Sequence, residues 1–217
     1  MSFKPPALIG LFALGGLLFL GNRALDRGPR PIPVVTGPTA TAVFAGGCFW
    51  SIEKLFDEMD GVVSATSGFT GGNVKNPSYE EVSSGRTGHM EAVKVVYDPA
   101  KVTYARLLDA FWHDIDPTSP NGQFCDFGTQ YRTAIFYQDE AQHQAILASK
   151  TAIEQSKALD HPIATQVLRE TPFYPAEAYH QDYARRNPVG YGSYRIGCGR
   201  DAKLDAVWGK LAYHSTN

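Results

Sequence analysis

Hydrophobic and polar positions alternate along this chain with two periods, and their order predicts a mixed fold. Thr41 to Ala45 is a short apolar strand. It runs into a segment where Phe49, Ile52, Phe56 and Met59 recur every three to four residues, the spacing of one helix face, with Gly61 placed to stop it. Val62 to Phe69 reads as a second strand ending at Gly71-Gly72. Residues 89–97 make a third, closed by Asp98-Pro99, with Glu91, Val93, Val95 and Tyr97 on one face and Ala92, Lys94 and Val96 on the other. The clearest helix follows: Tyr104, Leu107, Leu108, Phe111, Trp112 and Ile115 form an apolar stripe, Thr103 is an available cap and Pro117 lies beyond the end. Tyr131 to Tyr137 supplies a fourth strand, and Asp139 caps a polar, alanine-rich helix reaching about Lys157. The order βαββαβ predicts an α+β fold: a ferredoxin-like split βαβ core, an α/β sandwich with helices mainly on one face, and a loop-rich C-terminal extension with a helix starting near Pro175.

The N-terminus breaks this pattern. Ala7 to Gly21 is an uncharged apolar run behind Lys4, resembling the h-region of a secretory signal, though too short for a comfortable membrane span and followed by no convincing cleavage site. A Pro-, Gly- and Arg-rich stretch, Arg27 to Pro38, comes next. The expected organisation is a signal peptide or membrane anchor over 1–25, a linker over 26–40 and one catalytic domain over 41–217, exported to the periplasm or tethered facing it. A formal charge of −2 with scattered lysines and arginines gives no pull toward nucleic acid. The chain carries three cysteines, Cys48, Cys125 and Cys198, too far apart for a C-x-x-C pair. No cysteine or histidine spacing matches a zinc site, so no metal is expected.

Cys48 stands where the first strand gives way to the first helix, within Gly46-Gly47-Cys48-Phe49-Trp50. Free N–H groups and partial positive charge at a helix N-terminus favour a thiolate, and the two glycines permit a sharp turn and close approach of a substrate. An isolated cysteine is more often a small buried hydrophobe, which would leave the glycines and the adjacent aromatic pair without a purpose.

Four segments together resemble the peptide methionine sulfoxide reductase A family: Gly46 to Trp50, Asn76-Pro77-Ser78-Tyr79-Glu80-Glu81-Val82, Gly85-Arg86-Thr87-Gly88-His89-Met90-Glu91-Ala92-Val93, and Asp126-Phe127-Gly128-Thr129-Gln130-Tyr131-Arg132. They occur in the family's order and cover about residues 42–200. The resemblance implies that Cys48 attacks the sulfur of methionine S-sulfoxide, free or in oxidised proteins, and that Glu91 donates the proton its oxygen needs. A carboxyl on a face shared with Val93 and Val95 can be kept neutral by desolvation. Tyr79, Asp126 and Tyr131 resemble the polar pocket residues, and Phe49 and Trp50 the wall receiving the S-methyl group. The sulfenic acid left on Cys48 is then resolved by Cys198, whose C-terminal position matches the family's resolving cysteine and whose flanking Gly197 and Gly199 give it freedom, forming a Cys48–Cys198 disulfide recycled by a thioredoxin-like protein. No cofactor is implied, and a monomer is expected.

Two positions depart from the family pattern: Cys125 stands where asparagine is common and Phe124 where glycine is. Cys125 is either a small buried filler, dispensable for recycling, or a second thiol able to intercept the sulfenic acid. A relay through two successive disulfides is disfavoured by the lack of a second C-terminal cysteine. The histidines at 89, 113, 143, 161, 180 and 214 have no catalytic pairing and read as surface or satisfied core. Competing readings are a cysteine hydrolase or acyltransferase with a histidine base, and a tethered module that binds a thioether without turnover.

Overall fold

The computed structural model describes residues 26–214, so the apolar run Ala7 to Gly21 lies outside the described residues. The expected core is present as β1 (Ala40–Gly46), α1 (Phe49–Asp57), β2 (Val62–Thr70), a short α2 (Tyr79–Ser83), β3 (Met90–Tyr97), α3 (Tyr104–His113), the hairpin β4 (Gly122–Gln123) and β5 (Asp126–Phe127), β6 (Thr133–Tyr137) and α4 (Glu140–Ser156). The strands lie in the order β6-β1-β3-β2, each antiparallel to its neighbour, which is the split βαβ arrangement.

The central strand shows why the order closes. Phe44 sits opposite Val93 of β3 and Ile135 of β6, fully buried. Its ring meets Phe56 of α1 at 4.8 Å and Phe111 of α3 at 5.0 Å, so both amphipathic helices bury their stripes on one sheet face. Each such aromatic contributes about 1.5–3 kcal/mol on leaving water. The opposite face holds a smaller cluster of Val43, Ala45, Met90, Ala92, Ala134 and Phe136. The caps expected at Thr103 and Asp139 accept from Arg106 N and Gln142 N.

The structure corrects the C-terminal third. Tyr174–Pro175 is not a helix start but strand β8, paired antiparallel to β2 at the sheet edge, while β7 (Gln166–Arg169) adds a parallel strand to β6. Proline at a sheet edge costs no ladder bond, so the residue read as a helix opener is equally at home ending an edge strand. The Gln181 amide then stands in for a further strand, accepting from Ser67 N–H at 3.0 Å and donating to Ser67 O at 2.9 Å. Helices follow as α5 (Tyr183–Arg186), α6 (Pro188–Gly197) and α7 (Arg200–Trp208). The fourth core strand begins at Thr133, because Thr129–Tyr131 is a tight 3-10 turn.

One buried ion pair fastens α7 to the core. Arg200 donates to Asp114 Oδ2 at 2.7 Å and to Asp114 O, with side chains only 2% and 1% exposed. Its guanidinium also lies 4.4 Å from the centroid of Phe124, which holds a left-handed φ of 57° in the β4–β5 turn. A non-glycine residue there costs roughly 1–2 kcal/mol, so the stacked guanidinium and the Lys203 Nζ bond to Phe124 O at 2.6 Å offset a real strain. Replacing Arg200→Met leaves Asp114 buried and uncompensated, and urea unfolding should show a loss of about 3–5 kcal/mol. The double replacement Arg200→Met with Asp114→Leu should cost less than Arg200→Met alone; equal or greater loss would show that the ion pair is not what holds α7.

Candidate active site

β1 delivers Cys48 to the N-cap of α1 through a turn that only glycine permits. Gly47 has φ +84°, and a Cβ there would lie 2.6 Å from the Cβ of Gln123. Gln123 cannot yield, because its buried amide holds the Asp116 N–H and O at 2.9 and 2.8 Å. Cys48 is consequently packed against the β4–β5 hairpin with 7% of its surface exposed.

The first amide of α1 is spent on a carboxyl rather than on the thiol: Phe49 N–H donates to Glu91 Oε2 at 3.0 Å in a buried contact. Glu91 projects from β3 toward α1, on the face that Val93 and Val95 also supply to the core. Burial pushes its carboxyl up to about 8, against the Phe49 bond and helped by the nearby Asp126 charge, so it is neutral at pH 7. Because Oε2 accepts the amide proton, the acid proton belongs on Oε1. Glu53, also raised to about 8 by burial and the charge of Asp57, is a different case. It belongs to the cluster with Asp57 and Asp182.

The thiolate expected from the helix N-terminus is not what the site favours. Burial, then the Glu91 charge, pushes the Cys48 thiol well above the ordinary cysteine range, while bonds from the Tyr194 hydroxyl and the Trp50 amide pull only partly against this. The resting pair is therefore a thiol beside a neutral carboxylic acid.

Around them stand three phenols and a second carboxylate. Tyr79, placed by the capping box of Ser78 and Glu81 and by its own N–H to Glu177 Oε1 at 2.9 Å, has a half-buried hydroxyl facing those of Ser83 and Tyr131. Burial and the Glu91 charge raise Tyr131 far above the usual phenol range, fixing it as a proton donor. Asp126 lies where β5 begins, and its Oδ2 accepts from the Tyr194 hydroxyl at 2.5 Å. Tyr194 thus bridges Asp126 and Cys48.

The aromatic pair beside Cys48 is less exposed than the sequence implies. Phe49 is buried and makes the floor, 5.8 Å from Phe69 and 6.3 Å from Tyr79 between ring centroids. Trp50 is the accessible wall, stacked on Tyr183 at 3.8 Å and edge-on to Tyr194 at 5.9 Å. Its indole N–H donates to Nδ1 of the buried His180 at 3.1 Å. Burial lowers His180, so a neutral imidazole protonated on Nε2 holds the indole in place.

Tyr194, His180 and Tyr183 escaped the sequence reading. A signal existed for the first: Asn187-Pro188 is a cap followed by an N1 proline, and it puts Tyr191, Tyr194 and Cys198 on one helix face. His180 and Tyr183 had none, because the irregular segment before α5 reaches the site only through tertiary packing. His89, by contrast, is structural, accepting from Gly72 N–H and donating to Val74 O.

The cysteines require a correction. Cys198 is disulfide-bonded to Cys125, with Cα atoms 5.0 Å apart, and Cys48 is free. Cys125 is exposed, not a buried filler, and Cys198 sits at the joint of α6 and α7 rather than on a loose tail. The reason lies in the Arg200 clamp, which holds the start of α7 over Phe124 and so brings the two neighbouring cysteines together. Both sulfurs and an Asp126 oxygen lie within 4.8 Å of one another. With the sulfurs bonded to each other, the group offers no pair of thiolates to a metal.

Comparison with known proteins gives a consistent picture. Residues 40–212 match the family model described as peptide methionine sulfoxide reductase. A Bacillus licheniformis protein named peptide methionine sulfoxide reductase MsrA is 50% identical over 169 residues, covering 78% of this chain and 93% of its own. A Caulobacter vibrioides protein named peptide methionine sulfoxide reductase MsrA 2 is 48% identical over 204 residues, covering 93% and 98%. Among solved structures, methionine sulfoxide reductase A of Corynebacterium diphtheriae superposes with a TM-score of 0.65 at 35% identity, over 77% of this chain and 86% of that one. Reduced Mxr1 from Saccharomyces cerevisiae gives 0.67 at 31% identity, over 75% and 93%. The chain belongs to the peptide methionine sulfoxide reductase family.

Proposed function

We propose that this protein reduces methionine S-sulfoxide, free or within oxidised proteins, to methionine, and that a thioredoxin-like dithiol protein restores its thiols. The observation that carries this reading is the buried, neutral Glu91 carboxyl beside the Cys48 thiol, framed by Trp50 and three phenols. A sulfoxide sulfur is a poor electrophile until its oxygen takes a proton. Glu91 Oε1 gives that proton while Cys48 Sγ forms a bond to the substrate sulfur, and the Cys48 thiol proton returns to the carboxylate. The hydroxyl then passes from the substrate sulfur to Cys48 Sγ: an Sγ–O bond forms, and the S–O bond and the new Sγ–S bond both break. Cys48 is left as a sulfenic acid, and the substrate leaves as a thioether, reduced by two electrons while Cys48 is oxidised by two. Tyr79 and Tyr131 donate to the sulfoxide oxygen as its charge grows. Tyr194, beside the sulfur, turns its hydroxyl from Asp126 toward the charge building there as the thiol proton leaves, and the Trp50 face receives the S-methyl group. A hydrolase would need a histidine base on Cys48; the buried His180 instead has Nδ1 committed to Trp50.

Cys48→Ser should abolish sulfoxide reduction with the fold intact, and activity within about tenfold of wild type would remove the nucleophile assignment. Glu91→Gln should slow single-turnover methionine formation by about 10²-fold or more. The same step should carry a pH limb of definite sign. With the acid raised to about 8, the protonated form persists through neutrality, so the Glu91-dependent rate is flat below that value and falls as pH rises through it. Glu91→Gln should lose this limb, and a limb that survived the substitution would belong to another group.

Export to the periplasm, free or membrane-tethered, rests on the apolar run Ala7 to Gly21 and the proline-rich stretch behind it. In cell fractionation the full chain should appear in the periplasmic or membrane fraction, and deletion of residues 2–25 should move it to the cytosol. A full-length chain found in the cytosol would refute the export reading.

A further inference from the structure

In this structure the disulfide joins the two cysteines that the catalytic step does not use, and leaves the nucleophile free. The three sulfurs also differ sharply in access. Cys48 and Cys198 are 7% and 6% exposed, whereas Cys125 is on the surface. A sulfenic acid on buried Cys48 is within reach only of a thiol that shares its interior, and Cys198 is one helical turn beyond Tyr194, whose hydroxyl touches the Cys48 sulfur. A disulfide between Cys48 and Cys198 would in turn be closed to any macromolecule, because disulfide exchange needs an attacking sulfur in line with an accessible one.

Building on the reductase reading above, we propose that Cys125 is the thiol through which oxidising equivalents leave the protein, and that the exposed Phe127 and Ile196 beside the disulfide are the contact for the dithiol protein that collects them. First, the Cys198 thiol displaces hydroxide from the Cys48 sulfenic acid, forming the Cys48–Cys198 bond and releasing water. Next, the Cys125 thiolate attacks Cys198 Sγ; the bond to Cys48 breaks, Cys48 leaves as thiolate and takes up the proton Cys125 lost, and the Cys125–Cys198 disulfide of this structure results. Finally, one thiol of a thioredoxin-class dithiol attacks the accessible Cys125 Sγ, Cys198 departs as thiol, and the second thiol of the reductant closes its own disulfide and frees Cys125. Two electrons and two protons pass from the external dithiol to the protein, balancing the oxygen removed from substrate as water.

The surface fits such a partner. Phe127 is 71% exposed and follows Cys125 by two positions, while Ile196 is 81% exposed and precedes Cys198 by two. Because the cysteines pair at a Cα separation of 5.0 Å, these two exposed residues stand within two chain positions of the same bond, on either side of it in sequence. Large apolar groups are left on a soluble surface at a cost in solubility, and a pair beside a reducible bond marks a place where a partner covers them during exchange. Gly199, with φ +60°, is the joint on which Cys198 swings between its two partners.

The stoichiometry of methionine release without reductant tests the route. Fully reduced wild-type chain should yield about two equivalents, one ending in the Cys125–Cys198 disulfide and a second leaving Cys48 as sulfenic acid, whereas Cys125→Ser should stop at about one with Cys48 bonded to Cys198. With reduced thioredoxin as donor, Cys125→Ser should lose about tenfold or more of steady-state turnover yet keep turnover supported by dithiothreitol, small enough to reach a buried bond. One equivalent from wild type, or thioredoxin-supported turnover undiminished in Cys125→Ser, would overturn the relay; no methionine from wild type at all would overturn the reductase reading instead. Phe127→Ser and Ile196→Ser should raise the KM for thioredoxin while leaving dithiothreitol-supported turnover unchanged, and an unaltered KM in both would remove the docking surface.

Discussion

The bond from the Phe49 amide to Glu91, 3.0 Å long and closed to water, is the constraint from which the chemistry of this protein follows. It requires α1 to start where β1 ends and β3 to lie beside β1 in one register, with Phe44 opposite Val93 so that Glu91 reaches the end of the strand. A slip of one residue would turn Glu91 to the other sheet face. The split βαβ core thus holds together two groups that lie 43 positions apart along the chain, counted from Cys48 to Glu91.

Magnitudes explain why the pair is neutral. A helix N-terminus favours an adjacent anion by about 0.3–1 kcal/mol, and up to about 2 in partly buried settings. Two anions about 4 Å apart repel by roughly 4 kcal/mol even at an effective dielectric of 20, before any cost of removing each from water. Repulsion and desolvation win, so the site keeps its protons until a polar sulfoxide arrives to accept one. That is the condition a reaction that must protonate its substrate at neutral pH needs.

The C-terminal helices complete the disulfide by a separate device. The Arg200–Asp114 ion pair and the stack on Phe124 fix the start of α7 against the β4–β5 turn, and this brings Cys198 beside Cys125. The network of Arg195, Tyr191 and Ser51 docks α6 on α1, so Tyr194 comes to rest on the Cys48 sulfur. Cys48, Glu91 and the disulfide therefore share one neighbourhood although the chain supplies them from four distant positions.

The sequence by itself determined the elements whose patterns are local. The apolar stripes of α1 and α3, the alternation of β3, and the caps Thr103 and Asp139 declare themselves within a few residues, and their order sets the split βαβ core. Cys48, Glu91, Tyr79, Asp126 and Tyr131 were legible through segments close to these elements and through family resemblance. Tertiary structure alone decided the rest. Whether Cys48 is thiol or thiolate depends on burial and on a carboxyl contributed by another strand. Which cysteines pair depends on an ion pair between residues 114 and 200, and the presence of His180 and Tyr183 at Trp50 depends on an irregular segment held by Gln181 at a sheet edge. Desolvation, charge and long-range docking are properties of a folded neighbourhood, and periodicity along a chain carries no record of them.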